Sequence, residues 1–213
     1  MKSKYMILAA VVASVFLVGV ACEKEEEASV KSQADWCADG WLALMNNNFT
    51  DAEFLFGNAI KVDPYYAEAH AGLGWTYIRM HDPVSAESVF EDAILIARQP
   101  GTPIRAQQIV YLGACQAYNA GENLSYSAEH GRYMADNLKN EAFYLPNQKN
   151  VNTYDLYILL CLDYFGLGQQ DNTVWAINKA RAYSGEQPTY TFNGWENAAV
   201  EIDRLAGKDP DPK

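Results

Sequence analysis

The sequence is poor in histidine, the residue that most often binds metals and acts in acid–base catalysis. It contains three histidines, His70, His81 and His130, and no two of them stand three or four residues apart. That spacing is what places two imidazoles on one helical face to hold a metal such as zinc. Glycine-rich phosphate loops and the sharp nucleophile turn of serine hydrolases are also missing. We therefore predict a protein that is not an enzyme, with no catalytic residue, no metal and no cofactor.

Basic residues are scarce as well. The chain has 16 lysines and arginines against 27 aspartates and glutamates, a formal net charge of −11 at pH 7. Nucleic-acid binding needs clustered positive charge to neutralise the phosphates. The charge balance therefore argues against a nucleic-acid partner, and it is typical of an acidic surface that keeps an exported protein soluble.

Strand-like alternation of apolar and polar residues is absent over any useful length, so the pattern predicts an all-α chain. Several polar residues stand where helices would begin, because their side chains can accept hydrogen bonds from free backbone amides. The predicted helix starts are Thr50 with Glu53 as a capping box, Asp82 before Pro83, Thr102 before Pro103, and Asn193 with Glu196.

One stretch of the chain repeats itself at a fixed interval. Gly40-Trp41 recurs as Gly74-Trp75, 34 residues later, and Phe56 recurs as Phe90. Small residues let two helices approach closely, and we expect Phe56 and Phe90 to fill the gap beside them. The same interval relates Ala52-Glu53 and Ala59-Ile60 to Ala86-Glu87 and Ala93-Ile94.

This pattern resembles the tetratricopeptide repeat, a helix–turn–helix unit of 34 residues. The chain departs from the family pattern at Asp39, at His70 and at Pro83. The first copy matches at Trp36, Gly40, Phe49, Ala52, Phe56, Ala59 and Pro64, and the second at Leu73, Gly74, Tyr77, Ala86, Phe90 and Ala93. The resemblance implies an all-α, right-handed solenoid of stacked helix pairs.

Two further units are degenerate. In the third, Gly113 stands 15 residues before Ala128, against 12 in the first two copies, so we expect a wider turn around residues 121–123. In the fourth, Thr173 replaces the small alanine. The predicted layout is a domain 33–206 with units at 33–66, 67–100, 102–138 and 150–184, an insert at 139–150, a capping helix at 193–206 and a disordered tail at 207–213.

The N-terminus carries the pattern of an export signal. Lys2 and Lys4 precede an apolar run up to Ala21, which is the charged start and short hydrophobic core of a signal peptide. We therefore predict a signal peptide at 1–21. The acidic run that follows predicts a flexible tether at 22–32, because like charges repel and cannot be buried.

Residues 17–22 resemble a bacterial lipobox, although Gly19 stands where leucine is usual. The resemblance implies that Cys22 is lipidated and becomes the mature N-terminus. Glu23, in place of aspartate, fits the usual sorting of lipoproteins to the outer membrane, on the periplasmic face or at the cell surface. Ordinary cleavage after Ala21 is the alternative and would leave a soluble secreted protein.

The remaining cysteines are Cys37, Cys115 and Cys161. An export route permits disulfides, but three thiols cannot all pair internally. Cys115 and Cys161 fall on equivalent helices and are the one pair we consider. Burial of all three as small apolar side chains is the favoured interpretation.

The first helix of each unit lines the concave groove in the resembled family. Counting from the repeat glycine predicts a stripe of apolar and aromatic residues with one arginine, a composition found in peptide-binding patches. The predicted partner-binding residues are Trp41, Leu44, Met45, Trp75, Ile78, Arg79, Tyr118 and Phe165. The alternative is that the protein's own terminal helix or insert fills this stripe.

The sequence thus predicts an exported, lipid-anchored repeat protein that binds an unidentified protein or peptide and acts as an adaptor. Two rival interpretations stay open. One is a carrier that holds a small apolar ligand or lipid in the groove. The other is an enzyme accessory or hydrolase with a site in the 139–150 insert.

Overall fold

The computed structural model describes residues 31–138, 143–146 and 148–208, with side chains left out at 144 and 148–150. The predicted signal peptide, Cys22 and the tether up to residue 30 lie outside these ranges, as do residues 209–213 of the tail. Parts of the predicted insert, residues 139–142 and 147, also lie outside them.

The described chain is built from helix pairs, which confirms the all-α prediction. Each pair forms one unit, and the four units are followed by a last helix, α9. The helices are α1 Gln33–Met45, α2 Phe49–Val62, α3 Ala67–Arg79, α4 Pro83–Ala97, α5 Ile104–Ala120, α6 Leu124–Asn137, α7 Thr153–Gly166, α8 Gln170–Tyr183 and α9 Trp195–Ala206. Within the described residues, no helix is long and apolar enough to cross a membrane.

The units stack through both of their helices. The first helices, α1, α3, α5 and α7, contact one another in succession, and each second helix packs against the first helix of the next unit. Helix α9 packs on α7 and α8, the position expected of a capping helix. Stacking of this kind buries a continuous apolar core that no unit could bury alone.

A short hairpin interrupts the helices between units 3 and 4. Strand β1, Tyr144–Leu145, pairs antiparallel with strand β2, Gln148–Asn152. The sequence analysis predicted a loop or insert here and no strand. The hairpin ends at Asn152, whose side chain caps α7 in a capping box with Asp155.

The helix starts agree with prediction at one place and differ at others. Asp82 caps α4 as expected, and its carboxylate accepts from the Ser85 amide at 3.1 Å. The prediction of a capping box at Thr50 is wrong, because α2 begins earlier and Asn48 holds the cap position. Thr102 is not a cap either, since Pro103 takes that position in α5, and Gly194 rather than Asn193 precedes α9.

All four turns within the units share one geometry. A single residue between the two helix caps has a left-handed backbone: Asn47 at φ 57°, His81 at 59°, Glu122 at 62° and Gly168 at 68°. After it, the amide of the next residue donates to a carbonyl five residues earlier, as Asn48 does to Ala43 at 2.9 Å. This conformation favours glycine, and three of the four turns adopt it with a larger residue.

The predicted wide turn in unit 3 is therefore wrong. The turn at 121–123 has the same length as the others, and the additional residues lengthen α5 to 17 residues against 13 in α1 and α3. Counted back from the turn, Cys115 and Cys161 occupy the place of Gly40 and Gly74.

The aromatic residues of the second helices hold the first two units together. Phe56 and Phe90 are fully buried, as the repeat predicts. Phe56 lies between Gly40 of its own unit and Gly72 of the next, and a Cβ at either glycine would lie less than 3 Å from its ring. Phe90 fits in the same way between Gly74 and Gly113.

Unit 3 reverses this arrangement of sizes. Gly131 stands in α6 where α2 and α4 carry phenylalanine, counting from the helix start. A Cβ on Gly131 would lie 2.8 Å from Leu160 and 3.3 Å from the sulfur of Cys115. The bulk at this interface therefore comes from the first helices, and the second helix supplies the space.

Candidate functional site: a groove across three first helices

An open groove of about 520 Å³ runs across the first helices of units 2, 3 and 4. It lies near the turn end of α3 and α5, and one face of α7 forms its floor. Its lining residues are Ile78, Arg79, His81, Gln116, Asn119, Ala120, Asp155, Ile158, Leu159 and Leu162.

The floor of the groove is apolar and its two ends are charged. Ile158 and Leu159 are partly exposed, and Leu162 keeps 46% of its surface exposed. Arg79 stands at the unit 2 end and Asp155 at the unit 4 end. The groove can thus accept apolar side chains between two charged groups of opposite sign.

Contacts within the protein hold both charged groups in place. The Arg79 guanidinium donates from Nη2 to Asn47 Oδ1 at 2.7 Å, which ties it to the left-handed residue of the first turn. Asp155 accepts from the Asn152 amide at 2.7 Å as part of the α7 capping box. Pre-positioned charges lose little conformational entropy when a partner arrives.

Four predicted groove residues lie in the core instead. Trp41, Leu44, Trp75 and Tyr118 each expose 4% or less of their surface. The position after the repeat glycine points toward the neighbouring helices: Trp41 packs edge-on against Phe56 at 5.4 Å, and the Trp75 indole donates to the Ile109 carbonyl at 3.2 Å. The prediction that Trp41 and Trp75 form one wall of the binding groove is therefore wrong, because both side chains are buried.

The other four predicted residues are partly exposed. Ile78 and Arg79 line the groove, and Met45 lies on α1 outside it. Phe165 packs edge-on against Trp195 of α9, with ring centroids 5.4 Å apart. At Phe165, then, the protein's own terminal helix covers the stripe, as the alternative interpretation proposed.

Gln116, Asn119 and Ile158 were not predicted from the sequence. The alignment of unit 3 on Gly113 is two residues too early, so every position derived from that glycine was shifted. A recurring tyrosine gives the correct alignment, because Tyr77, Tyr118 and Tyr164 all stand two residues before the last residue of the first helix.

The three cysteines in the described ranges do not form a disulfide. Cys37, Cys115 and Cys161 are free and buried, as the favoured interpretation expected, and the Cys115–Cys161 pair is not bonded. Burial raises the pKa of all three thiols well above the usual range. In the described part of the chain, no cluster of three or more histidine, cysteine or acidic side chains could hold a metal ion.

A model of the tetratricopeptide repeat family matches residues 43–107. The match runs from the end of the first helix in unit 1 to the start of α5, so it covers the second helix of unit 1 and the whole of unit 2. A search of curated proteins gives no match for this chain.

Proposed function

We propose that this chain, a tetratricopeptide repeat protein, binds a segment of another protein in the groove of α3, α5 and α7 and acts as an adaptor. Repeats of this family generally mediate protein–protein interaction. The observation that carries the proposal is the exposed apolar floor of the groove between Arg79 and Asp155. Extended concave surfaces of stacked helix pairs are the usual binding surfaces of such solenoids.

The chemistry of the groove defines the segment that would fit. Apolar side chains would cover Ile158 and Leu162, and an acidic group would pair with the Arg79 guanidinium. The volume of about 520 Å³ lies within the range of ligand clefts and suits a short segment rather than a folded domain. Charge at both ends favours a peptide over a purely apolar lipid.

The proposal extends to where the protein acts. Lys2, Lys4 and the apolar run to Ala21 support export, and the lipobox-like residues before Cys22 support a lipid anchor. A bacterial outer membrane lipoprotein would then present its repeats to partners in the cell envelope, with the acidic residues after Cys22 as the tether.

Site-specific photo-crosslinking in the native cell tests the groove. A photoreactive amino acid replaces Leu162 in the groove, and in a control protein it replaces Leu95, an equally apolar residue of α4 that is 64% exposed and lies outside the groove lining. We expect one discrete adduct at 162 and none at 95. Arg79→Glu in the protein labelled at position 162 should remove the adduct, since the acidic group of the segment would then face a negative charge.

The peptide captured at 162 can be identified by mass spectrometry. It should contain apolar residues and at least one aspartate or glutamate. Equal crosslinking at both positions, or an adduct that survives Arg79→Glu, would contradict the proposed groove.

A further inference from the structure

Asp163 of α7 places a carboxyl group in the interior between units 3 and 4. Its exposed surface is 0%. Oδ1 accepts from the Asn119 side-chain amide at 2.7 Å, and Oδ2 lies 2.5 Å from the Ser127 hydroxyl. The acid thus joins three helices, α5, α6 and α7, through two neutral groups. Burying a carboxylate on neutral partners alone is costly.

Which hydrogen bonds Ser127 can make depends on the protonation of Asp163. The Ser127 oxygen lies 2.5 Å from Asp163 Oδ2 and also 3.0 Å from the Cys115 carbonyl oxygen. A hydroxyl carries one hydrogen, so beside an ionised carboxylate it can satisfy one of these acceptors. If Asp163 is protonated, it donates to Ser127, and Ser127 donates to Cys115. Asn119 donates to Oδ1 in either state.

The surroundings offer this carboxyl little positive charge. Arg132 donates from Nε to Asp136 Oδ2 at 2.7 Å and bonds to the Tyr164 hydroxyl. Asp163 interacts electrostatically with Cys115 on α5 and with Cys161 and Tyr164 on α7. Charged groups one step further away are Arg132 and Asp136 on α6, which act on Tyr164, and Glu201 on α9, which acts on Cys161. Burial raises the pKa of Asp163 to about 6, although the bonds from Ser127 and Asn119 oppose the rise.

We infer that Asp163 is a proton-linked clasp between units 3 and 4, which takes up a proton in mildly acidic solution and completes the chain of hydrogen bonds from α7 through Ser127 to α5. In the neutral clasp, both Asp163 oxygens, the Ser127 hydroxyl and the Cys115 carbonyl oxygen all have hydrogen-bond partners. The ionised clasp leaves one acceptor without its bond from Ser127 and a buried negative charge, so it holds the two units less firmly.

The clasp adjoins the groove. Asn119 lines the groove and also donates to Asp163, and Leu162 precedes Asp163 in the chain. A shift of α7 relative to α5 would move the groove floor. This step, which makes partner binding sensitive to pH, rests on the proposed function.

Thermal unfolding of the wild type and of Asp163→Asn between pH 4.5 and 7.5 tests the clasp. Because folding raises the pKa, the protonated clasp stabilises the protein below the unfolded pKa, and this gain is lost as pH rises through about 6. We expect the wild-type Tm to fall relative to that of Asp163→Asn over this range. Asp171→Asn, the same charge change at an exposed site in α8, should keep the wild-type profile. Parallel profiles for the wild type and Asp163→Asn would overturn the inference.

A carbon-13 titration of the aspartate carboxyls in the wild type keeps the test decisive even if Asp163→Asn does not fold. One carboxyl should titrate near pH 6, and Ser127→Ala should move its midpoint to higher pH, because the carboxylate loses a donor. Titration of every aspartate in its ordinary range would overturn the clasp.

Spin labels at Glu129 and Gln170, on the second helices of units 3 and 4, test the movement without any partner. The distance distribution should differ between pH 5 and pH 7.5 and should not differ in Asp163→Asn. An unchanged distance in the wild type overturns the proposed movement. A pH-dependent distance together with no adduct at 162 supports the clasp and contradicts the groove.

Discussion

Phe90 of α4 lies against Gly113 of α5 so closely that the ring occupies the space of a missing side chain. A Cβ on Gly113 would stand 2.6 Å from Phe90 Cε1, well inside van der Waals contact. Gly74, on the other side of the same ring, leaves the same space. The ring therefore connects two units, and its packing explains why both glycines are needed.

Gly113→Ala should destabilise the fold by about 1–3 kcal/mol, because the added methyl overpacks the interface. Phe90→Leu in the same chain should recover part of that loss, since a smaller side chain leaves room for the methyl. Urea unfolding of the two single variants and the double variant measures this coupling.

Gly57→Ala is the matched control for the Gly113→Ala variant. It also adds a methyl to a helical glycine, but nothing lies within 4 Å of the new atom. It should stabilise the protein by about 0.5–1 kcal/mol, because alanine is the better helix former. Destabilisation of equal size at positions 57 and 113 would contradict the packing account.

Trp75→Ala and Leu162→Ala should separate the core from the groove. Trp75 is 4% exposed and its indole is bonded to Ile109, so its loss should cost about 3–5 kcal/mol. Leu162 is 46% exposed, and its replacement should change stability by less than about 0.5 kcal/mol. Chemical denaturation of both variants checks the contrast, and similar losses at the two sites would mean that Leu162 is not a surface residue.

The capping helix should loosen in acid. Arg204 of α9 donates to Glu186 at 2.8 Å and to Glu201 at 2.7 Å, and Lys208 also pairs with Glu186. These partners lower the pKa of Glu186 to about 2. A lowered pKa stabilises the fold above the ordinary pKa of glutamate, and this contribution is lost as pH falls toward 2.

We therefore expect proteolysis of the linker before α9 to accelerate between pH 4.5 and pH 2.5, measured with an acid-active protease. Glu186→Gln should already be cut faster at pH 5 and should show less acceleration. A wild-type rate that does not change with pH, after correction with an unstructured peptide, would show that the ion pairs do not hold the cap.

The three buried thiols should not react in the folded protein. The thiolate is the reactive form, and burial raises the pKa of Cys37, Cys115 and Cys161 while it blocks access. Iodoacetamide should label none of them under native conditions and all three in urea, as peptide mass spectrometry would show. Rapid native labelling of Cys161 would contradict its burial.

Cys22→Ala should release the protein from membranes if Cys22 carries the lipid. Fractionation should move the variant from the membrane fraction to the soluble fraction, because two acyl chains or more are what give stable anchoring. The intact mass of the mature wild-type protein provides the second check. An unmodified N-terminal cysteine would contradict the anchor.

Much of the fold could be predicted from the repeat, but only Ile78 and Arg79 of the predicted groove residues line the site. Phe56 and Phe90 recur with small residues at one interval, so their burial follows from packing. The groove depends on how three helices align. Because unit 3 was aligned two residues too early, buried Tyr118 was predicted in place of the partly exposed groove residues Gln116 and Asn119. Nothing in the local sequence shows that α5 is longer than α1, because a left-handed turn at Glu122 gives no glycine signal.

The sizes of the side chains that meet at each unit interface restrict how this array of repeats can change by duplication. A second copy of unit 2 inserted after the first would bring Phe90 against another Gly72, the same fit that Phe56 makes now. Placing unit 4 directly after unit 2 would instead bring Phe90 toward Leu160 of α7, which now faces Gly131. The array can therefore lengthen at its N-terminal half, whereas the order of its last two units is fixed by the shape of their contact.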